Sequence, residues 1–212
     1  MARARAREPD LLEVAFAVVA ERGVRGLDRA EVARRAGVSL AAVYEALPTR
    51  AALVTELGRR LDRAMLDLDP AELGPLGARE RLFELIMRRL DAAAPFRAGL
   101  ARLIRELRGD PRLALRSLCN LDRTAEWWLE LAGWPVAGPR RCLLTVALVR
   151  AYARTFETWL GDESEDLART LATLDRELAR VERLARLVGV AAEGTAAPRR
   201  PGPAAAEEGA PA

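Results

Sequence analysis

Residues 27–50 constrain the fold of this chain most strongly, because residues that start and end helices recur there at short intervals. Asp28 is placed to cap a first short helix, and Gly37 is expected to end it, since glycine accepts the left-handed backbone of a helix C-terminus. Ser39 can cap a second helix and Thr49 a third. The pattern predicts two short helices joined by a tight turn and followed directly by another helix.

The second helix of this unit is the candidate DNA-contacting element. Its outward side chains are mostly small or polar, so its backbone could approach a major groove closely. The free N–H groups at the start of the following helix, beside a basic side chain, could bind a phosphate. The predicted DNA-binding residues are Ser39, Leu40, Ala41, Ala42, Tyr44, Glu45, Thr49 and Arg50.

The segment AEVARRAGVSLAAVYEALPTRAAL resembles the helix-turn-helix of the TetR family of transcriptional regulators. It departs from the usual pattern at Leu47, where an aromatic residue is common, at Ala46 and at Leu40. These departures bear on the DNA target more than on the fold. The resemblance implies a homodimer that binds palindromic operator DNA, and a repressor released by a small apolar ligand. The matching positions are Val32, Ala33, Ala36, Gly37, Val38, Ser39, Val43, Tyr44, Thr49 and Arg50.

Composition predicts an all-α protein of the TetR-like type. Ala, Leu, Arg and Glu dominate, isoleucine is scarce, and apolar residues recur at intervals of three and four. We expect residues 1–50 to form a helix-turn-helix DNA-binding domain and residues 51–190 a larger helical domain that binds a ligand and dimerises. Residues 191–212 are rich in Ala, Pro, Gly and Glu without apolar periodicity, so we expect a disordered tail.

Charge and residue types argue against most enzyme classes. The chain has no histidine, which excludes Ser-His-Asp and Cys-His catalysis and histidine metal ligands. The acidic cluster around Asp162 and Asp166 could bind a cation, but acids at the start of a helix more often stabilise its N-terminus. The net charge is only +3, so charge alone does not indicate DNA binding. We expect no catalysis, cofactor or metal.

The cysteines and the N-terminus bear on the compartment. Cys119 and Cys142 lie within apolar helical patterns, which predicts reduced, buried thiols. There is no apolar signal segment and no uncharged run near the roughly 20 residues that span a bilayer, so we expect a cytoplasmic protein without membrane contact. Arg3, Arg5 and Arg7 form either an arm on DNA or a solvated terminus, and both interpretations stay open.

Aromatic and sulfur-containing side chains of the larger domain are candidates for a ligand pocket. Any one of them is more often ordinary core, but small-molecule pockets are mostly lined by such groups. In a helical domain attached to a DNA-binding unit, the set predicts an apolar effector pocket. Its predicted residues are Phe83, Met87, Phe96, Trp127, Trp128, Tyr152 and Phe156.

Two helices predicted near the C-terminus are candidates for self-association. Residues 139–160 are almost continuously apolar, so that helix must be covered on more than one side. The last helix keeps a heptad spacing, which suits packing against a partner helix. The pattern favours a symmetric four-helix interface between two copies. The predicted interface residues are Leu171, Leu174, Leu178 and Val181.

A second resemblance keeps an alternative open. The segments WWLELAG and VRAYARTFETWLGDESEDLARTLATLDREL are similar to the C-terminal region of TetR-like proteins and of the TetR-fold accessory proteins of ubiquinone biosynthesis. That second family implies lipid or isoprenoid binding without an operator. The well-kept helix-turn-helix favours the regulator, as does the lack of an amphipathic tail helix. A purely structural dimerising module is a third interpretation.

Overall fold

The computed structural model describes residues 10–134 and 136–190, and every regular element in them is helical, which confirms the all-α prediction. The Arg3, Arg5 and Arg7 arm and the tail 191–212 lie outside the described residues. The helices are α1 (Leu11–Arg22), α2 (Arg29–Ala36), α3 (Leu40–Ala46), α4 (Arg50–Leu66), α5 (Pro70–Leu73), α6 (Ala78–Ala93), α7 (Arg97–Leu107), α8 (Pro111–Leu131), α9 (Gly138–Leu160) and α10 (Ala168–Leu187). A 3-10 turn, Ala94–Phe96, joins α6 to α7.

The three side chains predicted as helix N-caps each cap a helix in the structure. Asp28 accepts hydrogen bonds from the first amides of α2, Ser39 from an amide of α3 at 3.1 Å, and Thr49 from an amide of α4 at 2.9 Å. Gly37 has φ +68° and ends α2 in the left-handed region. The predicted helix-turn-helix is therefore formed by α2 and α3, with α4 following at once.

α1 packs across α2 and also against α7 of the larger domain. Gly99 lets α1 and α7 approach closely, because a Cβ atom there would lie 2.6 Å from the carbonyl oxygen of Phe16. The rings of Phe16 and Phe96 meet edge to face with centroids 5.3 Å apart. The N-terminal helices are thus joined to the rest of the chain through α7 as well as through α4.

The larger domain is a bundle in which α4 packs on α6 and α8, α8 packs on α9, and α9 packs on α10. Trp128 and Trp159 are among its fully buried side chains, and Trp128 Nε1 donates to Met65 Sδ at 3.0 Å. Among the described residues, no helix is long and apolar enough to cross a membrane.

The acidic cluster between α9 and α10 stabilises the start of α10. Ser164 Oγ and Thr170 Oγ1 donate to the buried Asp162 carboxylate at 2.6 and 2.7 Å, and the Thr170 amide donates to it at 2.8 Å. These hydrogen bonds hold the pKa of Asp162 well below its ordinary value. Asp166 accepts from the Ala168 amide at 3.2 Å. These acids therefore stabilise the N-terminus of α10, as the sequence analysis expected of acids at the start of a helix.

The prediction of buried cysteines is wrong. Cys119 on α8 and Cys142 on α9 are both exposed, because each lies on the side of its helix that no other helix covers. Leu115 and Leu118 of α8 are exposed as well. The apolar pattern of α8 is therefore wider than the face that packs inside the chain, and a thiol within that pattern need not be buried.

The close α1–α7 contact predicts that Gly99→Ala destabilises the protein. The added methyl must displace backbone, so we expect the free energy of unfolding to fall by about 1–3 kcal/mol, as overpacking usually costs. At an unhindered helical position a Gly→Ala change would instead raise the free energy of unfolding by roughly 1 kcal/mol. Denaturant unfolding at fixed protein concentration measures the difference. Gly161→Ala is the control, because its Cβ would have no neighbour nearer than 3.9 Å. Equal or higher stability of Gly99→Ala would contradict the contact.

Candidate nucleic-acid interface and ligand cavity

The outward face of α3 carries the predicted DNA-binding side chains. Tyr44 is 68% exposed, and Val43 is fully buried beneath it, so the helix presents one face to solvent and one to the core. The structure brings the predicted residues together at one surface, although Ala42 is half-buried. The exposed members are Ser39, Leu40, Ala41, Tyr44, Glu45, Thr49 and Arg50.

Neighbouring backbone fixes the link between α3 and α4. Arg50 Nη2 donates to the carbonyl oxygen of Arg25 at 2.8 Å, which ties the start of α4 to the turn between α1 and α2. Arg29 donates to the carbonyl oxygens of Leu47 and Pro48 at 3.2 Å each. Arg50 is therefore held against the turn between α1 and α2, with one N–H group already engaged.

Arg34 and Arg35 on α2 form ion pairs with glutamates. Arg34 approaches Glu31 to 2.7 Å, and Arg35 approaches Glu21 to 2.6 Å and Glu31 to 2.7 Å. Hydrogen bonds from Arg34 and then Arg35 lower the pKa of Glu31. Glutamates therefore neutralise much of the charge of Arg34 and Arg35 locally, so these two arginines add little to any attraction for phosphates.

A cavity of about 170 Å³ lies between α4, α6, α7, α8 and α9. Its walls are mainly aliphatic, and its polar groups are few. The lining residues are Val54, Leu57, Gly58, Leu61, Arg89, Leu100, Leu103, Ile104, Ser117, Asn120, Leu121, Tyr152, Ala153, Phe156 and Glu157.

Two of the seven predicted pocket residues line this cavity. Tyr152 and Phe156 line the cavity, whereas Phe83, Met87, Phe96, Trp127 and Trp128 do not. Trp128 is fully buried in the core behind Tyr152, with ring centroids 5.2 Å apart, and Phe96 packs against α1. Phe83 and Met87 are half-buried and Trp127 is exposed. Aromatic content does not specify which helix face borders a cavity, and here residues of α4 and α7, four of them leucines, provide nearly half of the wall.

The sequence analysis missed a buried polar cluster at the cavity wall. Arg89 is 3% exposed, and its Nε donates to Asp62 Oδ1 at 3.1 Å while its Nη1 donates to the Tyr152 hydroxyl. Thr124 Oγ1 also lies 2.9 Å from Asp62 Oδ1, and Arg123 reaches Oδ2 at 3.5 Å. Burial raises the pKa of Tyr152, which Arg89 partly opposes. The chain is rich in arginine, and nothing in the sequence around Arg89 distinguishes it from the other arginines or predicts its burial beside Asp62.

Three of the four side chains predicted for the dimer interface are buried within the chain. Leu174 is 0% exposed, and Leu178 and Val181 are also buried, because α10 turns them towards α9 and α6 of the same chain. Leu171 is half-buried. Heptad spacing specified a helix-to-helix contact but not whether the partner helix belongs to another copy.

Other apolar side chains remain exposed on α9 and α10. Leu143 and Val146 lie on the outer side of α9, and Leu187 lies in the last turn of α10. The same side also carries the exposed Arg150 and Arg180. This outer surface is the mixed apolar and basic face that the two C-terminal helices leave uncovered within the chain.

Residues 11–57 match the family model for bacterial regulatory proteins of the tetR family. The chain is similar to the crystal structure of a TetR transcriptional regulator from Nitrosomonas europaea ATCC 19718, with 25% identity, a TM-score of 0.67 and coverage of 82% of this chain and 96% of that one. A TetR transcriptional regulator from Rhodococcus sp. RHA1 shares 16% identity with a TM-score of 0.57, covering 81% and 92%.

A TetR-like transcriptional regulator from Rhodococcus sp. RHA1 shares 21% identity with a TM-score of 0.52, covering 89% of this chain and 100% of that one. No curated protein matches the chain. The two Rhodococcus similarities concern the fold alone. The accessory-protein alternative finds no support in these matches.

The geometry of α3 predicts that Ala41→Glu abolishes specific duplex binding without unfolding the protein. Ala41 is exposed, so the substitution should change stability by no more than about 0.5 kcal/mol. Its carboxylate would lie in the negatively charged groove, and we expect at least about a tenfold loss of affinity. Anisotropy with a duplex selected by the wild type measures it. Ala71→Glu on α5 makes the same charge change at another exposed site and should bind normally. Wild-type affinity in Ala41→Glu would remove α3 from the interface.

Proposed function

We propose that this chain, a TetR-family transcriptional regulator, is a dimeric repressor that leaves its operator when a small apolar molecule fills the cavity beside α4. The observation that carries the proposal is the position of α4. Its first turn adjoins α3, and its Val54, Leu57 and Leu61 form part of the cavity wall. One rigid element therefore belongs both to the DNA-contacting unit and to the ligand site.

In the proposed complex, α3 enters the major groove. Tyr44, Thr49 and Arg50 contact phosphates, while Ser39, Leu40, Ala41, Ala42 and Glu45 border the bases. Two copies related by a two-fold axis require half-sites about 34 Å apart, which is one turn of DNA, so the operator is palindromic. A cytoplasmic location and the absence of enzymatic activity belong to the same proposal.

α7 provides a second structural connection between the cavity and the DNA-contacting unit. Leu100, Leu103 and Ile104 of α7 line the cavity. Further along the helix, the Glu106 carboxylate accepts a hydrogen bond from the Val24 amide at 2.9 Å in the turn after α1. A ligand that fits better when α4 and α7 are displaced would shift the population towards a spacing that the operator does not accept.

For the dimer, we propose the outer faces of α9 and α10 as the contact. Val146 and Leu143 on α9 and Leu187 on α10 are exposed and would bury apolar surface against the same residues of the partner. Contact between two copies of this face would also supply the cover that the apolar α9 lacks within one chain.

The proposal is tested by selection from random duplexes with the full-length protein. We expect the wild type to enrich one palindromic sequence and to protect both half-sites in a footprint. If the wild type enriches no duplex and instead copurifies with a lipid or quinone, the regulator proposal fails and the accessory-protein alternative replaces it.

The proposed dimer contact predicts that Val146→Arg yields monomers with weakened operator binding. A charged side chain would then meet its own copy across the two-fold axis, where like charges repel. Sedimentation velocity measures the assembly. Leu115→Arg on α8 is a matched control, since Leu115 is 62% exposed and Val146 is 61% exposed. We expect the control to remain dimeric. A dimeric Val146→Arg protein would place the contact on another face.

A further inference from the structure

We infer that the cavity ligand is a small carboxylate with a compact apolar body, and that its carboxylate binds Arg89 and Tyr152. The inference deepens the proposed function, and it rests on that proposal only in identifying this cavity as the effector site. It is carried by the size of the cavity and by the unused hydrogen-bond donors of Arg89 and Tyr152 at its wall.

The size of the cavity limits the ligand. Cavities of about 150 Å³ with walls of Leu, Ile and Phe hold one benzene molecule in other proteins. The 170 Å³ cavity here therefore accommodates a single ring or a short branched chain with one small substituent. Leu57, Leu61, Leu100 and Phe156 provide apolar contacts for such a body. Long acyl chains and fused ring systems exceed this volume and would extend past the exposed Ala153 and Glu157 into solvent.

Arg89 provides the polar end of the site. Its guanidinium is almost completely buried and borders the cavity. Nε is bonded to Asp62 and Nη1 to Tyr152, whereas Nη2 donates to no described residue. Among the described residues only Thr145 Oγ1 is a buried side-chain polar atom without a partner, so Arg89 Nη2 is accessible to solvent. A ligand oxygen that replaces water at Nη2 gains a charge-assisted hydrogen bond.

Tyr152 supplies a second donor beside it. The hydroxyl oxygen accepts from Arg89, and its own proton is donated to no described residue. Because burial raises the pKa of Tyr152, the hydroxyl stays protonated near neutral pH. Arg89 Nη2 and the Tyr152 hydroxyl can therefore hold the two oxygens of one carboxylate, a pattern that a neutral hydroxyl or ketone only partly satisfies.

The charges near the site are balanced. Asp62 is contacted by two guanidinium groups, the buried Arg89 at 3.1 Å and the exposed Arg123 at 3.5 Å. Glu157, which is exposed and lines the cavity, offsets Arg123, and water and salt screen both of these groups. The preference for a carboxylate therefore rests on the donors of Arg89 and Tyr152 and not on net charge.

This arrangement connects the ligand to α4 directly. The guanidinium that would bind the ligand is the one that holds Asp62 on α4. A ligand carboxylate on Nη2 leaves the Nε–Asp62 hydrogen bond in place but brings a second negative charge to the same guanidinium. The two carboxylates repel each other, so binding weakens the attachment of α4 to α6. The ligand therefore acts on the same helix that leads to the DNA-contacting unit.

The test compares benzoate with its neutral counterpart, benzyl alcohol, by calorimetric titration of the full-length protein. We expect benzoate to bind the wild type at least about tenfold more tightly than benzyl alcohol, as charged hydrogen bonds usually provide. In Arg89→Met, benzoate should lose at least about tenfold in affinity while benzyl alcohol changes little. Circular dichroism verifies that the variant is folded.

A second variant is needed because Arg89→Met also removes the ion pair with Asp62, which then has only the more distant Arg123 as a charged partner. A loss of benzoate binding in Arg89→Met could therefore arise from the broken ion pair. Ala153 lies at the exposed side of the cavity, so Ala153→Phe should fill the space and abolish binding of both probes without touching the ion pair. The inference is overturned if benzyl alcohol binds as tightly as benzoate, if neither probe binds the wild type, or if benzoate binding survives in either folded variant. Operator selection is measured separately: a protein that selects a duplex but fails these titrations keeps the proposed function and loses only this ligand class.

Discussion

The carboxylate of Asp62 holds the arrangement of the larger domain together. It receives the buried guanidinium of Arg89 on α6 and the hydroxyl of Thr124 on α8, and so fixes α4 against both helices. Removing one partner from such a buried pair typically costs about 3–5 kcal/mol, because the remaining charge is left uncompensated. α4 is therefore attached at a specific register, and the cavity walls and the start of the DNA-contacting unit take their positions from it.

The N-terminal helices have a second attachment, to α7. Glu106 accepts from the amide of Val24, and Gly99 allows α7 to lie against the backbone of Phe16. Since α7 also borders the cavity, the connections through α4 and through α7 between the DNA-contacting unit and the larger domain both pass beside the cavity. A change in the cavity can thus alter the orientation of α3 without any contact between ligand and α3, provided that the ligand prefers one arrangement of these helices.

The sequence predicted those features that depend on neighbouring residues. Asp28, Ser39 and Thr49 cap helices through amides two or three positions away, so local spacing was sufficient. Features that depend on distant packing were not predictable in the same way. The heptad of α10 proved to be internal core at Leu174, and the aromatic set did not identify the leucine-lined cavity. The role of Arg89 arises from three helices that meet only after folding.

The central claim is that α4, held by Asp62, sets the geometry of the DNA-contacting unit. The most direct test is the operator affinity of Asp62→Asn as a function of salt, measured well below its melting temperature. The account predicts weaker binding with an unchanged salt slope, because fewer molecules hold α4 in the binding-competent position while each bound molecule keeps its phosphate contacts. Wild-type affinity in a folded Asp62→Asn protein would contradict it.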